Sequence, residues 1–172
     1  MKKVLFLWMI LMTISSQSQT DKVLKTNSGS QVAFGYLTKE QFEIFKDFVR
    51  RTSNIEVTEG NSFLINYVQP ISDCFYNHYT QKCNVDWFEQ NLYKKFSLPT
   101  DMIKLYYQHK KIDSNKCISK SDKEGYLYET FFDENKLCYG LIVINSEGQF
   151  RVFTGEYGKK DITNFINQLK IK

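Results

Sequence analysis

The sequence predicts an α/β domain built on a mixed β-sheet, and three observations support that fold class. Apolar runs typical of strands alternate along the chain with segments of helical periodicity. The run Ser62–Val68 is almost wholly apolar, as expected of a strand that is covered on both faces of a sheet. Near the C-terminus, two apolar runs flank residues 145–148, a turn sequence that predicts an antiparallel hairpin.

Residues 1–19 have the composition of a secretory signal, in which Lys2 and Lys3 precede an uncharged apolar run and small polar residues follow it. The apolar run is about half of the ~20 residues that a membrane-spanning helix requires. We therefore expect an exported protein, periplasmic or extracellular, without a stable membrane anchor. Residues 20–30 are polar and rich in Ser and Gly, which predicts a flexible lead-in to one domain over residues 31–172.

The charge of the chain gives no indication of a nucleic-acid partner. The formal net charge is only +4, and removal of the signal, which contains Lys2 and Lys3, would lower it. Basic residues are interspersed with acidic ones rather than gathered into a stripe. The charged side chains are therefore interpreted as a solvated surface.

In the first half of the domain, residues 32–36 alternate as a short strand does. Thr38 and Gln41 have the spacing of a capping box, which predicts the start of a helix. The apolar face expected for this helix consists of Phe42, Phe45, Phe48 and Val49. The strand Ser62–Val68 follows after a turn at residues 58–61 and ends at Pro70, because proline cannot donate to a β-ladder.

The second half continues the alternation after a cysteine-containing loop. A helix is predicted on Val85, Phe88, Leu92 and Phe96, and a strand over residues 102–107. Residues 124–132 favour a further helix. The hairpin strands are expected at residues 141–144 and 149–154, and the apolar face of a last helix consists of Ile162, Phe165, Ile166 and Leu169.

The predicted signal is followed by four cysteines, which are Cys74, Cys83, Cys117 and Cys138. An even number of cysteines in an exported chain favours disulfide bonds. Three connectivities are open, of which Cys74 with Cys83 closes a short loop and leaves Cys117 with Cys138. Zinc is disfavoured because the sequence has no C-x-x-C pair, and His78 and His109 are not at ligand spacing. We predict no metal and no cofactor.

The closing part of the chain resembles the thioredoxin-like fold, in particular the exported thioredoxin-like proteins of bacteria. The resemblance lies in the apolar strand and glycine turn at residues 141–148, the returning strand, Gly155, and the helix at residues 161–169. It covers residues 31–169 and implies a three-layer sandwich with a central mixed sheet. It also implies that the segment carrying Cys74 emerges from the end of the central strand, where the family keeps its redox thiols.

The chain departs from the family at its chemical signature. The family's C-x-x-C pair is replaced by Cys74 alone, with Cys83 eight intervening residues away, and Asp73 would oppose formation of a thiolate at Cys74. The family's cis-proline matches a position near Tyr139, where no proline occurs. In the family's register Cys138 lies on the same side as Cys74, so that a Cys74–Cys138 contact is a third pairing.

Three functional hypotheses follow. The first is an exported, redox-degenerate thioredoxin-like module with structural cysteines that binds a protein or peptide partner through a tyrosine-rich end including Tyr76, Tyr79 and Tyr139. The second is a thiol-disulfide oxidoreductase in which Cys74 attacks and Cys83 or Cys138 resolves. The third is a secreted accessory or immunity-type protein of another α/β fold. Whether the protein is an enzyme is left open by the sequence.

Overall fold

The computed structural model shows an α/β protein with a seven-stranded mixed sheet and helices on both of its faces. It describes residues 20–25, 31–69, 85–110, 119–132 and 137–172. The strands are β1 (Thr20–Lys25), β2 (Gln31–Tyr36), β3 (Ser62–Val68), β4 (Met102–His109), β5 (Lys120–Asp122), β6 (Tyr139–Ile144) and β7 (Gln149–Thr154). The helices are α1 (Lys39–Ser53), α2 (Val85–Trp87, continued by a π-helical segment Phe88–Tyr93), α3 (Tyr126–Phe131) and α4 (Lys159–Gln168).

Strand β3 lies inside the sheet, as its apolar sequence predicts. The strand order is β1-β2-β7-β6-β3-β4-β5, in which β3 pairs parallel with β4 and antiparallel with β6. Every residue of β3 is buried. The prediction that residues 64–67 occupy the middle of the sheet is therefore confirmed.

Helix α1 begins at the predicted capping box. The Thr38 side chain accepts a hydrogen bond from the Gln41 amide at 3.2 Å, and the Gln41 side chain accepts one from the Thr38 amide at 2.8 Å. These two bonds satisfy backbone donors that the first helical turn leaves without partners. The helix ends at Asn54, which adopts the left-handed conformation with φ 54°.

The closing hairpin and the last helix are also where the sequence predicts them. Strand β6 pairs antiparallel with β7, and the Asn145 side chain in the turn accepts the amide hydrogen of Gln149 at 2.9 Å. Gly148 adopts φ 83°, a conformation that favours glycine. On the other side of β7, strand β2 continues the sheet in antiparallel register.

The sheet separates two apolar cores. One lies beneath α1 and α3 and is rich in aromatic rings, among them Phe45, Phe63 and Tyr67. The opposite core lies beneath α2 and α4 and includes Leu64 and Phe165. Because successive side chains of β3 point to opposite faces, one strand supplies both cores.

The structure differs from the sequence prediction at four elements. Thr20–Lys25 forms β1, which pairs antiparallel with β2, within the stretch expected to be a flexible lead-in. Strand β5 was not predicted, since it has only three residues and two of them are charged. The helical segment after Val85 ends at Tyr93, before Phe96, and α3 is shorter than residues 124–132. Within the described residues, no helix is long and apolar enough to cross a membrane.

Candidate functional site at the carboxyl end of the central strands

The carboxyl ends of β3, β4 and β5 lie at one edge of the sheet, because these three strands run parallel. Ligand sites of open α/β sheets lie outside this edge, so a functional site is expected here. Buried polar side chains concentrate here: Gln69, Gln108, His109 and Asp122 are each at most 3% exposed. Burial of polar groups is unfavourable unless they form hydrogen bonds, so the partners of these four side chains show how the strand ends are held.

Asp122 connects the edge strand to the central strand and to helix α3. The Tyr67 hydroxyl donates to Asp122 Oδ2 at 3.0 Å, and the backbone amide of Tyr128 donates to the same oxygen at 3.1 Å. The carboxylate thus binds the first turn of α3, where a negative charge is favoured by the helix dipole. Among the described residues, Asp122 Oδ1 has no hydrogen-bond partner. Burial raises the pKa of Asp122 despite these hydrogen bonds.

Gln69 connects the central strand to β6. Its backbone amide donates to the carbonyl oxygen of Cys138 at 3.0 Å, and its side-chain Nε2 donates to the carbonyl oxygen of Tyr139 at 3.1 Å. Gln69 Oε1 is buried without a hydrogen-bond partner among the described residues. A buried acceptor of this kind is uncommon, and it remains able to accept a hydrogen bond from an N–H or O–H group.

The carboxyl end of β4 is also held by a side-chain hydrogen bond. The Ser119 hydroxyl donates to Gln108 Oε1 at 2.6 Å, which joins β4 to the residue preceding β5. The His109 ring packs edge-on against Tyr128 of α3, with ring centroids 4.7 Å apart. His109 is therefore a buried histidine that packs in the core.

On the opposite face of the sheet, hydrogen-bonded tyrosines surround Asn66 of β3. The hydroxyl groups of Tyr93 and Tyr157 donate to Asn66 Oδ1 at 2.6 and 2.7 Å, and Asn66 Nδ2 donates to the carbonyl oxygen of Leu105 at 3.2 Å. Burial raises the pKa values of both tyrosines. Both hydroxyls therefore stay protonated near neutral pH and act as hydrogen-bond donors.

Next to this cluster, Glu89 of the π-helical segment accepts hydrogen bonds from Tyr106 at 2.6 Å and from Lys104 at 2.9 Å. Burial alone would raise the pKa of Glu89, but these two hydrogen bonds outweigh it and the pKa lies below its usual value. The Phe88 ring contacts Tyr106 and Tyr139 on the same face. Glu89 is thus held as a carboxylate that fixes the helix on the sheet.

A scan of protein-family models, a search of curated proteins and a search of solved structures found no match.

The structure describes only part of the predicted site. Cys74, Cys83 and Cys117, together with Tyr76 and Tyr79, lie outside the described residues, and so does His78. Cys138 directly precedes β6, is 8% exposed and is disulfide-bonded. Which of the other cysteines is its partner stays a prediction. Tyr139 is half-buried beside Cys138, and burial raises the pKa of its hydroxyl.

Asn66, Gln69 and Asp122 were not predicted from the sequence as residues of the site. Asn66 could have been recognised, because it is the one amide side chain inside the apolar run Ser62–Val68. A polar residue at such a position requires a buried hydrogen-bond partner. Within the described residues, no group of His, Cys, Asp and Glu side chains has the arrangement of a metal site.

Proposed function

We propose that this chain is an extracytoplasmic protein of thioredoxin-like fold that acts as a binding or accessory module, with cysteines that stabilise the structure rather than turn over. The observation that carries the proposal is the state of Cys138. It lies beside the end of the central strand, where the family keeps its redox chemistry, and there it is buried and disulfide-bonded. Reactive cysteines are instead partly exposed and lie in electropositive surroundings.

The sheet topology supports the fold assignment. The central strand β3 has β4 parallel on one side and the antiparallel hairpin β6-β7 on the other. Helix α4 closes the chain and packs on the same face as the π-helical segment. This is the arrangement that the resemblance at residues 141–169 implies, with the segment that carries Cys74 leaving the end of β3.

The packing at this end supports a role in binding rather than in thiol chemistry. Gln69 donates hydrogen bonds to the carbonyl oxygens of both Cys138 and Tyr139, so these two residues are held against β3. Tyr139 remains half-exposed and rests edge-on against Phe88 at 6.1 Å. A rigidly held tyrosine with an apolar ring and a polar tip is typical of a protein-binding surface.

The first experiment measures the reduction potential of the disulfides in defined thiol buffers, together with turnover in an insulin-reduction assay. Structural disulfides have potentials below about −300 mV. We expect that behaviour here, with no insulin reduction and with Cys138 in the disulfide map. A potential above about −270 mV, the value typical of thioredoxin, combined with turnover, would overturn the proposal.

The second experiment tests binding. The mature protein is used to capture partners from the periplasmic or culture fraction, in comparison with Tyr139→Ser. The control is Tyr36→Ser, a tyrosine 48% exposed at the end of β2. Loss of a partner only with Tyr139→Ser is expected, after circular dichroism has shown that both variants fold. Equal capture by all three proteins would remove Tyr139 from the binding surface.

One observation favours the second candidate, a thiol-disulfide oxidoreductase. Cys138 lies at the edge from which the segment with Cys74 departs, so a Cys74–Cys138 disulfide is compatible with the described backbone. In that reaction the Cys74 thiolate would attack a substrate disulfide and release one substrate thiolate. Cys138 or Cys83 would then displace the second and leave an intramolecular disulfide. The potential measurement distinguishes this candidate from the binding module.

A further inference from the structure

A cleft lies at the β5 edge of the sheet, on the face covered by α1. It has a volume of about 360 Å³, and its walls come from the end of α1, from β5 and from the turn after β5. The lining residues are Phe48, Arg51, Thr52, Lys120, Ser121, Lys123 and Glu124. Its volume falls in the range of small-molecule sites, about 300–1,000 Å³.

The charged side chains that line this cleft have a net positive charge. Three cationic side chains line it, Arg51, Lys120 and Lys123, against the single carboxylate of Glu124. Glu124 Oε1 lies 3.5 Å from Arg51 Nη1, a long distance for an ion pair, and both side chains are more than 60% exposed. An exposed pair at this distance contributes little to stability, so it opposes a competing anion only weakly.

The hydrogen-bond donors of the cleft also exceed its acceptors. Lys120 Nζ donates one bond to the carbonyl oxygen of Ser53 at 3.0 Å and has two further N–H donors. This bond holds the ammonium group at the end of α1, where a cation is favoured by the helix dipole. The guanidinium of Arg51 has five N–H donors in a planar fork that matches phosphate oxygens.

Phe48 is among the lining residues of the cleft, but it belongs to the aromatic core, where it packs against Tyr126 with ring centroids 4.9 Å apart. The Phe48 side chain is only 1% exposed, so a ligand meets the cationic groups rather than the ring. The cleft therefore suits a compact anion.

We propose that this cleft binds a compact phosphate anion, with Arg51, Lys120 and Lys123 contacting the phosphate oxygens. The site is separate from the Cys138–Tyr139 surface and does not depend on the function proposed for it. It is also separate from the Asn66 cluster, which lies on the opposite face of the sheet.

The experiment is a calorimetric titration of the mature protein with phenyl phosphate and with inorganic phosphate, at constant ionic strength set by sodium chloride. Inorganic phosphate is expected to bind at least as tightly as phenyl phosphate, because Phe48 is only 1% exposed and offers no surface to the phenyl ring. Arg51→Gln and Lys123→Gln should each raise the Kd about two- to fivefold, the effect of an exposed ion pair. Glu124→Gln should lower the Kd by a similar factor, since it removes the carboxylate that competes for Arg51.

The matched control is Lys39→Gln, which removes an exposed lysine at the opposite end of α1 and should leave the Kd unchanged. Equal affinities in all variants, or heat produced by sodium chloride alone, would overturn the site. Tighter binding of phenyl phosphate than of inorganic phosphate would overturn the assignment to a compact anion. All four side chains are exposed or half-buried, and thermal melts of each variant show whether it folds.

Discussion

The close contact between Gly140 and Phe132 allows a quantitative test of the packing at the carboxyl end of β3. A Cβ atom added at Gly140 would lie 2.2 Å from Phe132 Cε1 and 2.4 Å from Cζ. Favourable carbon–carbon contacts are at about 3.5–4.0 Å, so the ring must move by more than an ångström. Neither side yields easily, because Gly140 pairs with Tyr67 and Thr154, and the Phe132 ring stacks on Tyr67 at 4.9 Å.

Gly140→Ala is therefore expected to destabilise the protein near the upper end of the range for overpacking, about 3 kcal/mol. For a domain of this length the melting temperature should fall by about 6–12 °C, at about 2–4 °C for each kcal/mol. The free energy of unfolding is measured by urea denaturation and the melting temperature by calorimetry. The backbone of Gly140 does not have a positive φ, so steric contact alone accounts for the expected effect.

Gly60→Ala is the matched control, because no atom lies within 4 Å of the Cβ that it adds. Its effect should stay within about 0.5 kcal/mol. In the double variant Gly140→Ala/Phe132→Leu, the shorter side chain lacks the two ring atoms that clash. The double variant should be more stable than the sum of the single effects predicts, by about 1–2 kcal/mol. Additive effects, or a Gly140→Ala variant as stable as the control, would refute the proposed contact.

Three further predictions concern the polar groups. Tyr67→Phe removes the hydroxyl that donates to Asp122 and should cost about 1–3 kcal/mol in urea denaturation at pH 7; no loss would contradict the bond. Burial raises the pKa of Asp122, so its contribution to stability is fully present below the unfolded pKa of about 3.9 and is lost as pH rises through the folded pKa. The stability of Asp122→Asn relative to the natural protein should thus increase from about pH 4 to 7, and a constant difference would oppose this assignment. Thr38→Ala should cost about 1 kcal/mol through loss of the N-cap, and an unchanged melting curve would contradict that role.

Elements specified by local sequence were predictable. The capping box fixes the start of α1 within four residues of the chain, and the apolar run Ser62–Val68 could be covered only inside the sheet. The turn at Asn145 likewise contains its own hydrogen-bond donors and acceptors. In each case the sequence signal and the interaction that it predicts lie in the same short segment.

Contacts between residues far apart in the sequence were not predictable. Strand β5 consists of Lys120–Asp122, and its only described strand partner is the end of β4. The first turn of α3 is bound by Asp122 rather than by its N-cap Gly125, which has no side chain to offer. Gln69 is one residue beyond an apolar strand, where a glutamine is ordinarily solvated. Its burial depends on Tyr139, which is 70 residues away in the sequence.

The contacts at the carboxyl edge have a common consequence for the proposed function. Gln69 joins β3 to β6, Gln108 joins β4 to the start of β5 through Ser119, and Asp122 joins β5 to β3 and α3. Each parallel strand end is thus held laterally by side-chain hydrogen bonds in addition to the β-ladder. A segment that departs from such an edge starts from a fixed frame, and a binding surface gains affinity when its anchors are already ordered. The fixed carboxyl edge is therefore consistent with the binding role that we propose for Tyr139.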